Sequence, residues 1–302
     1  MRRAFSDWTE RVLPASTDCF FLTGDLGYNA FEGLQKALGE RFLNAGVCEQ
    51  HMVSMAAGMA SFGYKTLCYS IAPFAIFRPM EQLRLDAGIH KQNVKVVGNG
   101  GGYGYGIMGA THHALEDLAV TTCLPHFRAY VPCCDEEVGI ACDEMMRWEG
   151  PTYLRLGAFT AKGKLDTFTT YSAVQRRREG RALTVVVLGP LLGNAWEAVQ
   201  NSGTDADLFS VSQLPLTDAD ITEIRASLSK TGKLLVLEEH VARGGLGEHL
   251  VYLLARGGTS PAMFRHQHAQ GYPSGTYGSQ KFHQRESGLD PASIIEAMKG
   301  ML

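Results

Sequence analysis

The sequence predicts an α/β protein of two units, each a mainly parallel sheet flanked by helices. Three observations predict it. Short apolar runs alternate with helical patterns along the whole chain, as repeated strand–helix–strand units require. The alternation lapses once, in the polar stretch "AKGKLDTFTTYSAVQRRREG", and then restarts. The 302 residues, 45% hydrophobic and 20% charged, are enough for two domains with their own cores. The expected layout is a first unit over 1–165, a linker over 166–180 and a second unit over 181–302.

The elements follow in order. "DCFFLTGD" reads as a buried strand ending in glycine and an acid, and Glu49 to Ser61 as a helix. "KTLCYSI" is a strand, Pro79 to Ile89 a helix, and "VKVVGNG" and "FRAYVP" are strands. Asp135 to Trp148 is a helix and "TYLRLG" closes the unit as a strand. In the second unit "ALTVVVLGP", "DLFSVSQL" and "KLLVLEEH" are strands. They alternate with the helices "LLGNAWEAVQ", "TDADITEIRASLSKTG" with Thr217 as N-cap, and "GGLGEHLVYLLARGG", which glycines close.

Composition narrows the function. Net charge is −3, and the one basic run, "RRRE" at 176–179, reads as a solvated linker or helix end, so neither nucleic acid nor a membrane surface is implied. "MRRAFSDWTE" lacks the apolar core of a signal peptide, and no apolar run is long enough to span a bilayer. A cytoplasmic location is expected. The seven cysteines, Cys19, Cys48, Cys68, Cys123, Cys133, Cys134 and Cys142, are odd in number and show no CxxC spacing. They read as small buried hydrophobes in a reducing compartment. His240, His266 and His268 read as structural.

The glycine-dense loop "VKVVGNGGGYGYG" follows a strand, but no helix opens directly at it and the P-loop Lys and Ser/Thr are absent. It is therefore read as a loop that brings backbone close to a ligand, not as a nucleotide cradle. Two other stretches carry more chemistry. "RFLNAGVCEQHMVSMAAGMASFG" places one acid, Glu49, at the head of an almost wholly apolar helix whose Ala56, Ala57, Gly58 and Ala60 permit close packing. "GIMGATHHALED" places His112 and His113 just before a helix that begins with Glu116 and Asp117. Capping alone would also favour an acid at a helix N-terminus.

"TGDLGYNAFEGL", "RFLNAGVCEQHM", "PFAIFRPMEQLR" and "ATHHALEDLAV…LPHFRAYVP" follow one another in the order and spacing of the transketolase family. The chain resembles the C-terminal half of that enzyme, its pyrimidine-binding domain plus its C-terminal domain. 1-Deoxyxylulose-5-phosphate synthases and the β chains of 2-oxo-acid dehydrogenases are relatives. The resemblance implies thiamine diphosphate as cofactor and Glu49 as the carboxylate against N1′ of its pyrimidine, in a dry pocket that strengthens the charge-assisted bond. It implies cofactor contacts from Asp25, and from Phe74 and Phe77 as an aromatic wall whose first position is Ile71 here. It places His112 at the substrate oxygen beside the reacting carbon, with His113 and Arg155 as further substrate contacts. Each has a plainer alternative: a turn aspartate, core aromatics, a surface arginine.

Two departures matter. The diphosphate and its Mg²⁺ are bound in the family by a "GDG…N" motif in the other half, which this sequence lacks. The implied partner is a second chain carrying that domain, in an α₂β₂ assembly. The family's substrate loop "GEDGPTH" reads "GIMGATH" here, with Ile107 and Met108 in place of acids. Met108 cannot accept a hydrogen bond from a donor hydroxyl, and burying that group unpaired costs about 1–3 kcal/mol. A 2-oxo acid such as pyruvate is therefore the expected donor. The leading expectation is a β-type subunit that moves a two-carbon ketol or acyl unit from a ketose or 2-oxo acid to a carbonyl acceptor. The alternatives are a 2-oxo-acid dehydrogenase β chain or a non-catalytic regulatory half-transketolase.

Overall fold

The structure is a computed structural model that describes residues 1–158 and 169–302. The amino-terminal part runs α1 (Arg2–Val12), β1 (Cys19–Thr23), α2 (Glu32–Leu38), β2 (Phe42–Asn44), α3 (Glu49–Ala60), β3 (Lys65–Ile71), α4 (Ala72–Ile76) and α5 (Met80–Gln82). A π-helical turn, Leu83–Ile89, extends α5, and β4 (Val94–Asn99), α6 (Asp117–Thr122), β5 (Arg128–Tyr130), α7 (Asp135–Arg147) and β6 (Thr152–Leu156) follow. The remainder runs β7 (Val174–Arg178), β8 (Leu183–Leu188), α8 (Leu192–Ser202), β9 (Ala206–Val211), β10 (Gln213–Leu214), α9 (Thr222–Thr231), β11 (Lys233–Glu238), α10 (Leu246–Arg256), β12 (Met263–His268), α11 (Gln280–Glu286) and α12 (Pro291–Lys299).

Two sheets result, with strand orders β10-β5-β6-β4-β3-β1-β2 and β12-β11-β8-β9-β7. Every pairing is parallel except β10 on β5 and β7 on β9. Strands covered on both faces read as near-continuous apolar runs, and β8 (LTVVVL) is buried at every position. The α/β architecture is therefore the expected one. β10 belongs to the carboxy-terminal part by sequence but pairs with the edge of the first sheet, Gln213 opposite Tyr130. An apolar cluster runs without a break from Leu22 and Val96 in the first sheet to Val186 and Val236 in the second.

Several local expectations change. Residues 166–168 of the expected linker lie outside the described residues, but Val174–Arg178 is the edge strand β7, not linker. Its arginines have partners within the fold: Arg176, though exposed, has Nε 3.0 Å from the buried carboxylate of Asp207, and Arg178 bonds the carbonyls of Val199 and Thr204. Helix α9 starts at Thr222, because the Thr217 N–H and hydroxyl both donate to Asp220 and close a turn first. Gly58 is exposed with open space around it, so close packing of α3 rests on Ala56, Ala57 and Ala60. All cysteines are free; five are buried, whereas Cys48 and Cys123 are exposed. Helix α1 is an addition to the expected elements; Phe5 and Trp8, three apart, are its buried face.

The two sheets are fastened where the glycine-rich loop meets β6. Arg155 is 4% exposed. Its Nε donates to Asp117 Oδ2 at 2.8 Å, and its Nη2 to the carbonyls of Ala114 (2.8 Å) and Glu239 (3.1 Å). Tyr153 donates its hydroxyl to the same Asp117 oxygen at 2.7 Å. The glycines admit these side chains. A Cβ on Gly101 would lie 2.5 Å from Arg155 Cγ, and one on Gly102 2.3 Å from Glu239 Oε1. At Gly101 and Gly102 the close approach is to the side chains of Arg155 and Glu239. Removing one partner of a buried pair strands the other charge, so Arg155→Ala is expected to lower the unfolding free energy by about 3–5 kcal/mol in urea titration.

Candidate active site

In an open parallel sheet, ligands sit beyond the carboxyl ends of the strands, where loops and helix starts converge. Four adjacent strands here deliver polar or aromatic side chains to that edge. β1 runs into Gly24 and Asp25, β2 into the turn before Glu49, β3 into Phe74 and Arg78, and β4 into the loop that carries Tyr105 and His112.

Glu49 is the first residue of α3 and is 3% exposed. Its carboxylate accepts two bonds from Arg78 Nη1, both 2.9 Å, and one from the Ser70 hydroxyl at 3.3 Å. The helix N-terminus adds favourable positive potential. Arg78 in turn lies over Phe74, its guanidinium carbon 3.7 Å from the ring centroid. On the same ring, His112 makes an edge contact with centroids 5.3 Å apart. His112 also packs on Tyr105, whose hydroxyl accepts from Asn99 Nδ2 at 2.9 Å. Glu49, Arg78, Phe74, His112 and Tyr105 thus form one continuous chain of contacts.

The imidazole of His112 has Nδ1 2.9 Å from the Thr111 hydroxyl; its Nε2 has no partner among the described residues. Asp25 sits on the rim. It adopts a left-handed φ of 57°, which an aspartate tolerates. Bonds from Asn44 Nδ2 and the Tyr28 hydroxyl hold its carboxyl below the usual range. Phe77 is exposed and stands outside the Glu49–Phe74 contacts. Met108 and Ile107 lie on an exposed turn at Gly106–Met108, their apolar side chains 53% and 74% accessible.

Two expected substrate contacts are engaged elsewhere. His113 is 3% exposed, with Nε2 donating to the Gly106 carbonyl at 2.8 Å and Nδ1 2.9 Å from the Tyr272 hydroxyl. Burial holds its imidazolium pKa below the ordinary value. Arg155 is neither a surface residue nor free at the edge, because Asp117 and two carbonyls hold it inside the sheet junction. Arg78 and Tyr105 join the site without having been expected there. The i, i+4 spacing of Phe74 and Arg78, which lies just past the end of α4, is the available signal for the first. Tyr105 is hidden among glycines and has none.

Residues 1–158 match the family model "Transketolase, pyrimidine binding domain", and residues 172–294 match "Transketolase, C-terminal domain". A subunit of the apulose-4-phosphate transketolase of Phocaeicola vulgatus is 28% identical over 261 residues, covering 84% of this chain and 83% of that one. A 6-deoxy-6-sulfo-D-fructose transketolase subunit of Clostridium sp. is 29% identical over 213 residues, covering 68% and 65%. Among solved structures, a split gene transketolase described as an inactive beta4 tetramer superposes with a TM-score of 0.86 at 26% identity, covering 100% of this chain and 97% of that one.

The ion pair at this edge has a testable weight. Arg78→Ala leaves the Glu49 carboxylate buried without its main donor, which is expected to cost about 1–3 kcal/mol of stability in urea titration. Arg78→Lys restores the charge without the stacked guanidinium or the twin bonds and is expected to recover only part of it.

Proposed function

Because this chain belongs to the transketolase family, as its pyrimidine-binding and C-terminal domains, we propose that it is the β-type subunit of a split, thiamine-diphosphate-dependent transketolase-like enzyme. The observation that carries the reading is Glu49: a buried carboxylate at a helix head, flanked by an aromatic face, at the carboxyl edge of a parallel sheet. The donor set fits the cofactor's aminopyrimidine. Glu49 and Phe74 already hold a planar cation, the Arg78 guanidinium, by N–H donation to the carboxylate and stacking on the ring. A protonated aminopyrimidine is likewise planar, cationic and N–H-donating.

When bound, thiamine diphosphate supplies the carbon nucleophile that takes up and delivers the two-carbon unit. Glu49 would hold a proton at N1′ of the pyrimidine, and Phe74 would pack on its face, with Phe77 and Asp25 at the margin. His112, through its unengaged Nε2, would donate to the oxygen of the reacting carbonyl and move its proton. The matched domains are the pyrimidine-binding and C-terminal ones, so Mg²⁺ and the diphosphate are assigned to a partner chain and the site to their interface. That the transketolase relatives are themselves named as subunits supports such a partner. An α₂β₂ assembly is the economical form.

The exposed apolar turn of Ile107 and Met108 favours a donor without a hydroxyl to recognise there. A 2-oxo acid such as pyruvate suits it, with a carbonyl compound as acceptor. The apulose and sulfofructose relatives support a ketose donor instead. Met108→Asp separates the two: with a 2-oxo acid as native donor, the variant is expected to gain ketose cleavage at the expense of pyruvate use. Wild-type cleavage of ketose phosphates with no pyruvate consumption would discard the 2-oxo acid.

The subunit role is tested by isolating the chain from its source and measuring thiamine diphosphate and any second chain in the eluate; a chain recovered alone and cofactor-free contradicts it. In the assembled enzyme, Glu49→Gln is expected to lower turnover by about 100-fold or more while the assembly stays intact. His112→Ala is expected to lower kcat by about 100-fold with cofactor affinity preserved.

A further inference from the structure

The carboxy-terminal part carries none of the proposed catalytic groups, yet one of its segments is built around the loop that does. That loop, 100–113, closes on itself: Gly102 and Ala114 exchange a bridge, and the N–H groups of His112 and His113 both reach the Gly109 carbonyl. Its outer side is covered by residues 271–283. A Cβ on Gly109 would lie 2.6 Å from the Tyr277 ring, and one on Gly106 3.1 Å from the Gly278 carbonyl. Both glycines have positive φ, 73° and 48°. The loop is therefore shaped to its neighbour, not merely beside it.

The fastening is specific. The Gly106 carbonyl can only accept, so His113 Nε2 carries a hydrogen, and Nδ1 is bonded to the Tyr272 hydroxyl at 2.9 Å. Beneath it, Tyr103 is fully buried and stacks on His283, with centroids 4.9 Å apart and planes at 15°. The Tyr103 hydroxyl donates to the Gly271 carbonyl at 2.9 Å, and its N–H to Glu239 at 2.7 Å. Tyr277 meets Tyr272 edge-on at 5.1 Å while remaining 54% exposed.

We propose that Tyr272 and Tyr277 are positioning residues for the substrate loop: the first fixes His113 and thereby Gly106, the second seats Gly109, and together they set where Met108 and His112 stand. This rests on reading Met108 and His112 as substrate-facing. The carboxy-terminal part then governs donor recognition without touching the donor.

Two variants test it, Tyr272→Phe, which deletes one hydroxyl, and Tyr277→Ala, at an exposed ring, with Tyr277→Phe as the conservative control. Hydrogen–deuterium exchange of the full chain reads the loop directly. Exchange of the peptide covering 100–113 is expected to rise about fivefold or more in the first two variants and to stay near wild type in the control. In the enzyme assembled with its partner, donor KM is expected to rise about tenfold and kcat to fall with it, cofactor affinity staying near wild type, and Tyr277→Phe to restore both. Loop exchange that does not change overturns the brace. Faster exchange with an unchanged donor KM overturns its role in recognition. A wild-type assembly with no two-carbon transfer sinks the functional reading itself, which the exchange result does not depend on.

Discussion

The ion pair between Arg155 and Asp117 is the constraint around which the molecule is arranged. One guanidinium, almost wholly buried, joins β6 to the start of α6, to the Ala114 carbonyl beside the substrate loop, and to the Glu239 carbonyl of the second sheet. A charge in that position must have its partners, so the loop must come close, and it can come close only with glycine at 101 and 102. Glu239 then accepts the Tyr103 N–H and the side-chain amides of Gln280 and Gln284. Burial raises its carboxyl pKa above the usual value, a sign of how dry the junction is.

From that junction the candidate site spreads along one sheet edge. The proposed chemistry needs little of this chain: a buried acid with an aromatic face beside it, and an imidazole with one free nitrogen. These sit at the ends of neighbouring strands, where backbone geometry sets them within contact of one another. Among the described residues no cluster of His, Cys, Asp or Glu is arranged to hold a metal, and the matched family domains are the pyrimidine-binding and C-terminal ones. No helix among the described residues is long and apolar enough to cross a membrane.

Much of the fold is legible in the residues. The strands of the two sheet centres are mostly apolar runs, interrupted by Lys95 in β4 and Thr184 in β8, and α3 and α7 are long enough to read as helices, so their type and order read directly. What fails to read has a common cause, which is partners distant in sequence. β7 looks like a basic linker until Asp207, on the neighbouring strand, supplies the charge that Arg176 reaches. His113 looks like a second active-site imidazole until Tyr272, 159 positions away, takes its Nδ1. Arg155 likewise looks like a substrate contact because Asp117 cannot be placed against it by spacing. Glu49 and His112 stand out in the sequence itself, since an acid heading an apolar helix and a Thr–His pair at a loop end are local anomalies. Their roles remain proposals that the geometry supports.

The short strand β10 bears on how the chain is made. The first sheet's outer edge, β5, is capped by Gln213 and Leu214, about eighty residues downstream of Tyr130. During synthesis on the ribosome, β5 therefore emerges with a bare row of amides and carbonyls. That row stays open while β6, the following segment and the first strands of the second sheet are produced. An uncovered edge is a template for pairing with any other strand nearby, including the same strand of a neighbouring nascent chain. Completion of the first sheet is tied to the translation of the second, so a truncated product ending between the two would carry an unfinished sheet into the cell.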